Sequence, residues 1–300
     1  MSRFTKICLS IAAVFAVGGV ILCVVGAAFG ATIGDVKTAT GSSHISSWIG
    51  RFADWDWNWD DDDSSSSVIN NAYSYDKDEV KNLDIAMNAG TLTIGKSSSD
   101  KVEVNVYLKN GTVDCGLNGD TLQIEDHTKT YYINRHVEVE LLLPDEMQLE
   151  DINIDVAAGE VDSSCENLAA DKAVLSVDAG EANIAYFSVK EKLSATVGAG
   201  TIELENLSVG DLELDCGVGE IDIDGSVSGD ISGSCGVGTL SMELVGEKED
   251  YNYSIDCGIG EIAIDNDTYS SLGSEKDIDH DAGKDMALDC GVGTIRVEFK

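Results

Sequence analysis

The stretch DCGVGEIDI, residues 215–223, decides the fold because the chain repeats it along its C-terminal half. Aligned on the second glycine, the copies centre on Gly159, Gly180, Gly200, Gly219, Gly238, Gly260 and Gly293, with an outlying copy, AMNAGTLTI, at Gly90. The seven contiguous glycines follow one another at intervals of about 20 residues, and only the last interval, from Gly260 to Gly293, is markedly longer. Such a repeat is typical of a solenoid, whose coils bury their apolar faces only by stacking.

Side chains alternate within each copy, and small or β-branched apolar residues with a period of two indicate a half-buried β-strand. Position −3 from the glycine holds Val156, Val177, Val197, Cys216, Cys235, Cys257 and Cys290. Position −1 holds Ala158, Ala179, Ala199, Val218, Val237, Ile259 and Val292. Position +2 holds Val161, Ala182, Ile202, Ile221, Leu240, Ile262 and Ile295. The alternation places these positions on the inward side, and we predict that the glycine lies at the turn between two strands.

Most copies carry a third, shorter apolar patch after the second strand. Its residues are Leu168, Val189, Leu207, Val209, Val227 and Val245. Three short strands in about 20 residues are typical of a parallel β-helix with coils about 4.8 Å apart. We therefore predict an all-β fold, a parallel β-helix or β-solenoid with an N-terminal β cap.

The last copy is expected to close the stack. Residues 265–284 are acidic and polar, so we expect them to form a loop inserted into the last coil. The chain ends on TIRVEFK, which predicts that Arg296 and Lys300 bring positive charge to the terminal edge.

The N-terminal region predicts a membrane anchor. Residues 7–33 are predominantly apolar and long enough to cross a hydrocarbon core of about 30 Å. Arg3 and Lys6 precede this segment and Asp35 follows it, which predicts a cytoplasmic N-terminus and an extracellular C-terminal domain. The alternative is a cleaved signal peptide, but its apolar core usually spans only about 7–15 residues. We therefore predict an uncleaved, single-pass transmembrane helix in the cell membrane.

The predicted organisation has five parts. They are a cytoplasmic N-terminus at 1–6, a transmembrane helix at 7–33, a Trp/Asp/Ser-rich juxtamembrane linker at 34–79, a β cap with a first coil at 80–150, and the solenoid repeats at 151–300.

The net charge restricts the partners. Nineteen Lys and Arg stand against 55 Asp and Glu, a formal charge of −36. Nucleic-acid binding needs basic patches that displace counterions from phosphates, so we expect no nucleic-acid partner. The hydrophobic content of 43% supplies a core, so the acidity belongs to the surface.

Carboxylates recur directly after the glycines. Position +1 holds Glu160, Glu181, Thr201, Glu220, Thr239, Glu261 and Thr294. A carboxylate ladder for Ca²⁺ is one interpretation, and weak association with divalent cations follows from it. Since a Ca²⁺ site needs several converging oxygens, we favour the other interpretation, in which threonines keep like charges apart on a solvated face.

The glycine at position −2 is the candidate binding surface. It forms a stripe without side chains at Gly198, Gly217, Gly236, Gly258 and Gly291, which we expect to face outward beside Asp215, Asp256 and Asp289. Such a stripe would let a glycan or peptide approach the backbone. The alternative, which we favour, is that these glycines relax the bend between strands.

Cysteine is the other candidate for chemistry. The chain has eight, of which Cys216, Cys235, Cys257 and Cys290 occupy position −3. Valine fills this position in three other copies, so we predict reduced thiols that act as small core residues. Stacked side chains point in parallel, which fits poorly with the dihedral angle of a disulfide, although disulfides remain the alternative.

We predict no catalytic, cofactor-binding or metal-binding residue. The four histidines, His44, His127, His136 and His280, lie outside the repeat strands, and no nucleophile–base pair is evident. Surface aspartates could serve as a glycosidase pair, so an enzyme acting on polysaccharide is a less favoured alternative.

The combined pattern resembles a known family. A membrane segment is followed by LDIAMNAGTLTI at 83–94, by HVEVELLLP at 136–144 and by glycine-marked coils. This order resembles the bacterial putative-adhesin domain family, over about residue 83 to the C-terminus. The resemblance implies a membrane-anchored β-solenoid of the Gram-positive type, a family without an assigned biochemical function whose members sometimes accompany envelope-stress regulators.

Residues and resemblance together favour a non-enzymatic, adhesin-like or scaffolding surface at the cell envelope. The expected partner is an envelope protein or polysaccharide. The alternative is an accessory regulator of an envelope-stress signalling system.

Overall fold

The computed structural model describes residues 71–109, 112–127, 136–166, 168–270 and 273–300. These ranges contain 22 strands and two short 3-10 turns, Lys77–Glu79 and Lys248–Asp250. None of the helical segments in them has the length and apolar character needed to cross a bilayer. The predicted N-terminus, the predicted transmembrane helix at 7–33 and most of the predicted linker lie outside the described residues.

The strands are numbered in chain order. The N-terminal group comprises β1 (Asn71–Asp76), β2 (Asn82–Met87), β3 (Thr91–Lys96), β4 (Lys101–Lys109), β5 (Val113–Asn118), β6 (Thr121–Asp126) and β7 (His136–Leu143). The central group comprises β8 (Leu149–Val156), β9 (Glu160–Ser163), β10 (Ala169–Val177), β11 (Glu181–Ile184), β12 (Phe187–Val197), β13 (Thr201–Cys216), β14 (Glu220–Val227), β15 (Ile231–Cys235) and β16 (Thr239–Leu244). The C-terminal group comprises β17 (Tyr251–Cys257), β18 (Glu261–Ile264), β19 (Asp267–Tyr269), β20 (Ser274–Ile278), β21 (Lys284–Cys290) and β22 (Thr294–Phe299).

Each coil contributes to two long faces of one continuous sheet. The first face runs β1, β4, β7, β3, β9, β11, β13, β14, β16, β22, β18, β19. The second runs β5, β6, β2, β8, β10, β12, β13, β15, β21, β17, β20. Pairing from coil to coil is parallel, whereas the five strands β1, β4, β5, β19 and β20 pair antiparallel at the two ends. The protein is an all-β solenoid, as predicted.

The predicted inward ladder is confirmed. Every residue at position −3 and every residue at position +2 is buried. The ladder is in register, with Val197 opposite Cys216, Cys216 opposite Cys235, and Cys235 opposite Cys290. The copy at Gly90 joins the same stack, because β2 and β3 pair directly with β8 and β9. The two long strands of each coil therefore share one continuous apolar core.

Glycine is required where the coils approach most closely. A Cβ atom built on Gly238 would lie 2.8 Å from Cys216 Sγ of the preceding coil and closer still to the carbonyl oxygen of Gly219. The same arrangement recurs where Gly293 lies over Cys235, at 2.6 Å from its Sγ. Each glycine thus fits over the small ladder residue of the coil beneath it. This contact explains why the glycine and the Val or Cys recur together.

The expectation that position −1 faces inward is wrong. Val218, Val237, Ile259 and Val292 are exposed, and Ile259 is 51% exposed. In this segment two consecutive amides, those of Gly217 and Val218, both donate to the preceding coil, at 2.7 and 2.8 Å. An extended strand directs consecutive amides to opposite sides, so the chain bends here and the alternation is interrupted. The glycines on both sides of position −1 allow the bend.

The third apolar patch is confirmed except at its last member. Val189, Val209 and Val227 are buried and pair with one another across a short third face. Val245 is 60% exposed, because Leu244 fills the inward place and the chain then turns away at Gly246, whose φ is +143°. The third face therefore stops before the last coils.

The order of the last coils differs from the order of the sequence. Strand β22 lies between β16 and β18, so the coil of Gly293 is inserted between those of Gly238 and Gly260. Arg296 and Lys300 therefore do not lie on the terminal edge, and Lys300 Nζ pairs with Asp224 at 2.7 Å. The predicted loop at 265–284 instead contains β19 and β20, which pair antiparallel with the outermost coil. Because these strands cover the open edge, they protect the stack from further pairing.

Candidate binding surface

The five predicted glycines form one contiguous row at the bend. Each amide in the last four coils donates to the coil beneath, as in Gly236 N to Cys216 O at 2.8 Å. Their carbonyls accept from the next coil, as in Val237 N to Gly217 O at 2.8 Å. A Cβ on Gly236 would lie 2.8 Å from Gly217 O. The backbone of the row is thus engaged in stacking, which favours the structural interpretation of these glycines.

The side chains at position −1, between the glycines, make this corner apolar. We call Val218, Val237, Val292 and Ile259, in their spatial order, the corner ridge. Seven large apolar side chains are exposed among the described residues, and four of them form this ridge. Ala158, Ala179 and Ala199 continue the row toward the N-terminal coils as smaller, half-buried side chains. The corner is therefore an apolar line parallel to the stack.

Carboxylates run along one side of the ridge. Asp215, Asp289 and Asp256 are exposed on the second face, as predicted for the flank of the glycine stripe. Asp289 is the direct register partner of Asp256 on one side and of Ser234 on the other, and Ser234 is the partner of Asp215. Asp289 and Asp256 are thus neighbours in the stack, although the strands β18, β19 and β20 separate them in the sequence.

The other side carries the predicted row of glutamates and threonines. Its order along the last four coils is Glu220, Thr239, Thr294 and Glu261. The two glutamates are separated by two threonines, so like charges are not neighbours there. Glu160 and Glu181 are direct partners at the other end of the row. Burial, Asp162 and Glu181 raise the pKa of Glu160 above its ordinary value.

The described residues contain no group of three or more His, Cys, Asp or Glu arranged to hold a metal ion. On the first face, Glu220 and Glu243 lie near Asp222. Burial first, and then Glu220 and Glu243, raise the pKa of this carboxyl. The shift thus comes mainly from burial, with a smaller contribution from repulsion between the carboxylates.

The cysteines lie where the sequence predicted them. Cys216, Cys235, Cys257 and Cys290 are buried and free. Cys216 Sγ donates to Gly219 O at 3.1 Å, and Cys257 Sγ donates to Gly260 O at 3.2 Å. Burial raises the pKa of the Cys290 thiol to about 11. The four thiols are thus buried, and those of Cys216 and Cys257 donate to backbone carbonyls. The pKa of Cys235 is lowered to about 7 by its hydrogen bond with Cys216.

Several shallow depressions mark the described surface. One of about 440 Å³ at the C-terminal end is lined by Glu247, Lys248, Asp265 and Asp267 among others. Another of about 360 Å³ is lined by Glu146, Glu166, Tyr186 and Phe187 among others. Neither lining includes a histidine or a cysteine.

The corner ridge was missed because alternation was extended through the glycines. A signal was present in the paired glycines. In the last five copies position −1 lies between a glycine at position −2 and the glycine that marks the repeat. Glycines on both sides favour a bend over an extended strand, so the residue between them need not follow the alternation.

Two solved structures match the chain over about three quarters of its length. A putative cell adhesion protein from Clostridium sporogenes is 15% identical, with 77% of this chain and 98% of that chain covered and a TM-score of 0.32. A putative adhesin from Parabacteroides distasonis is 14% identical, with 77% and 96% covered and a TM-score of 0.39. No curated protein is significantly similar to the chain. The Toastrack DUF4097 family model matches residues 80–280. The chain belongs to the Toastrack DUF4097 family.

Proposed function

We propose that this protein is a membrane-anchored, extracytoplasmic β-solenoid that binds a partner at the cell envelope without chemical turnover. The observation that carries the proposal is the exposed side-chain row at the corner. It is held in register by the backbone hydrogen bonds of successive coils. A surface fixed in this way is suited to recognition, because little conformational freedom is lost when a partner binds.

The anchor and the orientation rest on the sequence. Residues 7–33 supply the apolar span, with basic residues before it and acidic residues after it. In this arrangement the solenoid faces the outside of the cell.

The charge of the surface selects among envelope components. With a formal net charge of −36, the chain repels bare anionic polymers. It attracts basic proteins, or polysaccharide that is bridged by divalent cations. Nucleic acid is disfavoured for the same reason. We therefore propose a basic envelope protein or a divalent-bridged polysaccharide as the partner class.

The test uses the full chain purified in detergent and immobilised on beads. Cell-wall fractions and detergent-solubilised envelope proteins are passed over it with Ca²⁺ or with a chelator, and a heat-denatured sample is the control. We expect selective retention by the folded chain. A parallel glycan-cleavage screen should show no turnover above the denatured control.

Two results would overturn the proposal. Turnover of a polysaccharide that the denatured control does not cleave would make the protein an enzyme. Equal retention by folded and denatured chain would show that the solenoid surface recognises nothing. Protease shaving of intact cells tests the orientation separately, since an extracellular solenoid is digested and a cytoplasmic one is protected.

A further inference from the structure

We propose that the corner ridge docks a basic amphipathic helix of a protein partner, which lies along the stack with its apolar stripe on Val218, Val237, Val292 and Ile259. This inference rests on the proposed binding function and specifies its surface and its partner class.

The first argument is the concentration of exposed apolar side chains. Val237 is 46% exposed and Ile259 51%, and both belong to an uninterrupted row of four β-branched residues. Exposed apolar residues that are scattered singly are ordinary, but a contiguous row is typical of an interaction site. The backbone amides at this corner donate to the neighbouring coil, so an added strand would find few free hydrogen-bonding groups.

The second argument is the spacing. Coils stack about 4.8 Å apart, so the ridge presents one apolar side chain per 4.8 Å over about 14 Å. A helix with apolar residues every third or fourth position presents them about 5.3 Å apart along its axis. A strand repeats on one face about every 6.7 Å, and a polyproline helix about every 9 Å. The helix therefore matches the ridge best.

The third argument is charge complementarity. Asp215, Asp289 and Asp256 flank the ridge on one side, and Glu220 and Glu261 flank it on the other. Within the described residues, none of these five carboxylates takes part in an ion pair with Lys, Arg or His. An apolar stripe with lysines or arginines along both edges would meet them on both sides.

The same charges argue against other occupants. A second copy of the chain would bring a further −36 and the same two acidic borders to the contact. The chain's own residues 45–59 have apolar side chains at helical spacing, but Asp54 and Asp56 lie among them and an aspartate run follows at 60–63. An anionic bilayer is repelled in the same way.

The experiment measures binding of a designed peptide to the full chain in detergent by fluorescence anisotropy. The probe has about 20 residues, with leucines on one helical stripe and lysines along its edges, and the control peptide has the same composition with the stripe scrambled. We expect binding of the striped peptide to weaken about tenfold in V237S/V292S, because two apolar contacts are lost. The matched control is V174S/V245S, since Val174 and Val245 are exposed apolar residues off the ridge, at 47% and 60%.

A set of charge variants tests the acidic border separately from the apolar ridge. D215N/D256N/D289N should weaken binding and reduce its dependence on salt between about 0.05 and 0.5 M. D78N/E79Q/E249Q removes the same charge from exposed positions elsewhere and should leave binding unchanged. Equal binding of striped and scrambled peptides, or equal loss in ridge and control variants, would overturn the inference.

The natural partner is identified by a photo-crosslinking residue in place of Val237, with Val245 as the control position. We expect the crosslinked fragment to be a basic segment with an apolar helical stripe. A fragment from a second copy, from residues 1–70 or from lipid would refute the docking model. If immobilised wild type and V237S/V292S retain the same partner from the envelope fractions equally well, the proposed function stands and the ridge inference is wrong. If the folded chain retains none, the proposed function itself is wrong.

Discussion

The most direct test of the coil packing is a graded series of glycine-to-alanine substitutions. At Gly238 a Cβ would lie 2.8 Å from Cys216 Sγ and 3.0 Å from the carbonyl carbon of Gly219, and closer still to the carbonyl oxygen. That carbonyl cannot move freely, because it accepts the hydrogen bond of Thr239 N at 3.0 Å. Overpacking a core costs about 1–3 kcal/mol, and a backbone clash puts Gly238→Ala at the upper end, about 3 kcal/mol.

Substitutions at two further glycines should have smaller effects on stability and serve as comparisons. At Gly236 the added Cβ meets one carbonyl oxygen at 2.8 Å and then nothing within 3.5 Å, so we expect a loss of about 1 kcal/mol. At Gly116 nothing lies within 4 Å of the added Cβ, and the backbone is not left-handed. Gly116→Ala should therefore be neutral or stabilising by up to about 1 kcal/mol, through the entropy of the unfolded chain.

The assay is urea unfolding of the full chain in detergent, followed by circular dichroism and compared at the transition midpoint. A stack of coils need not unfold in two states, so the order of the midpoints is the primary result. Combining Gly238→Ala with Cys216→Ala should cost less than the sum of the two, by about 1 kcal/mol, because the truncation removes the sulfur that the new methyl meets. If Gly238→Ala unfolds at the same midpoint as Gly116→Ala, the close approach of the coils is wrong.

Three further predictions concern the thiols, the carboxylates and the coil order. The four ladder cysteines should react slowly with a thiol reagent in the folded chain and rapidly in denaturant, and their joint replacement by valine should cost little stability; paired masses under non-reducing conditions would contradict this. Because the pKa values of Glu160 and Asp222 are raised in the fold, their protonated forms contribute stability that is present below about pH 4 and lost as the pH rises through the shifted values. Urea midpoints should therefore be higher near pH 4.5 than at pH 7, and Asp222→Asn should reduce the difference; a midpoint that rises toward pH 7 would refute the sign. Amides of β22 should exchange as slowly as those of β16, since β22 lies inside the stack, whereas exchange as fast as that of β19 would place it at an edge.

The buried ladders could be predicted from the sequence because they depend on a local rule. Period two fixes which side chains share a face, and one misplaced residue would turn a whole strand over. Position −3 was therefore assigned correctly in all seven copies. The rule fails where the chain leaves the extended conformation, as it does between the paired glycines. The exposed ridge lies in this interval, and the paired glycines around position −1 are the signal that indicates it.

The coil order could not be predicted because the repeats resemble one another too closely. DCGIGEIAI at 256–264 and DCGVGTIRV at 289–297 offer the same ladder residue and the same glycine to a neighbour. Chain order is then the default expectation, since consecutive elements usually lie side by side. The long interval between Gly260 and Gly293 was the available signal. An interval longer than one coil contains enough chain for two antiparallel strands, and β19 and β20 occupy it.

The coil order also decides the arrangement of the corner. Because β21 and β22 enter between the coils of Gly238 and Gly260, Val292 lies between Val237 and Ile259, and Asp289 lies between Ser234 and Asp256. If the coils were stacked in chain order, the same four side chains would form the ridge, but Ile259 would hold the third place and Asp256 would be the partner of Ser234. The outer coil is in turn covered by antiparallel strands, as the outer coil at the other end is covered by β4 and β5. Both ends of the stack are thus covered, and the segment 284–300 supplies an interior coil, through β21 and β22, together with the ridge residue Val292. Damage to this segment should therefore impair folding and binding together.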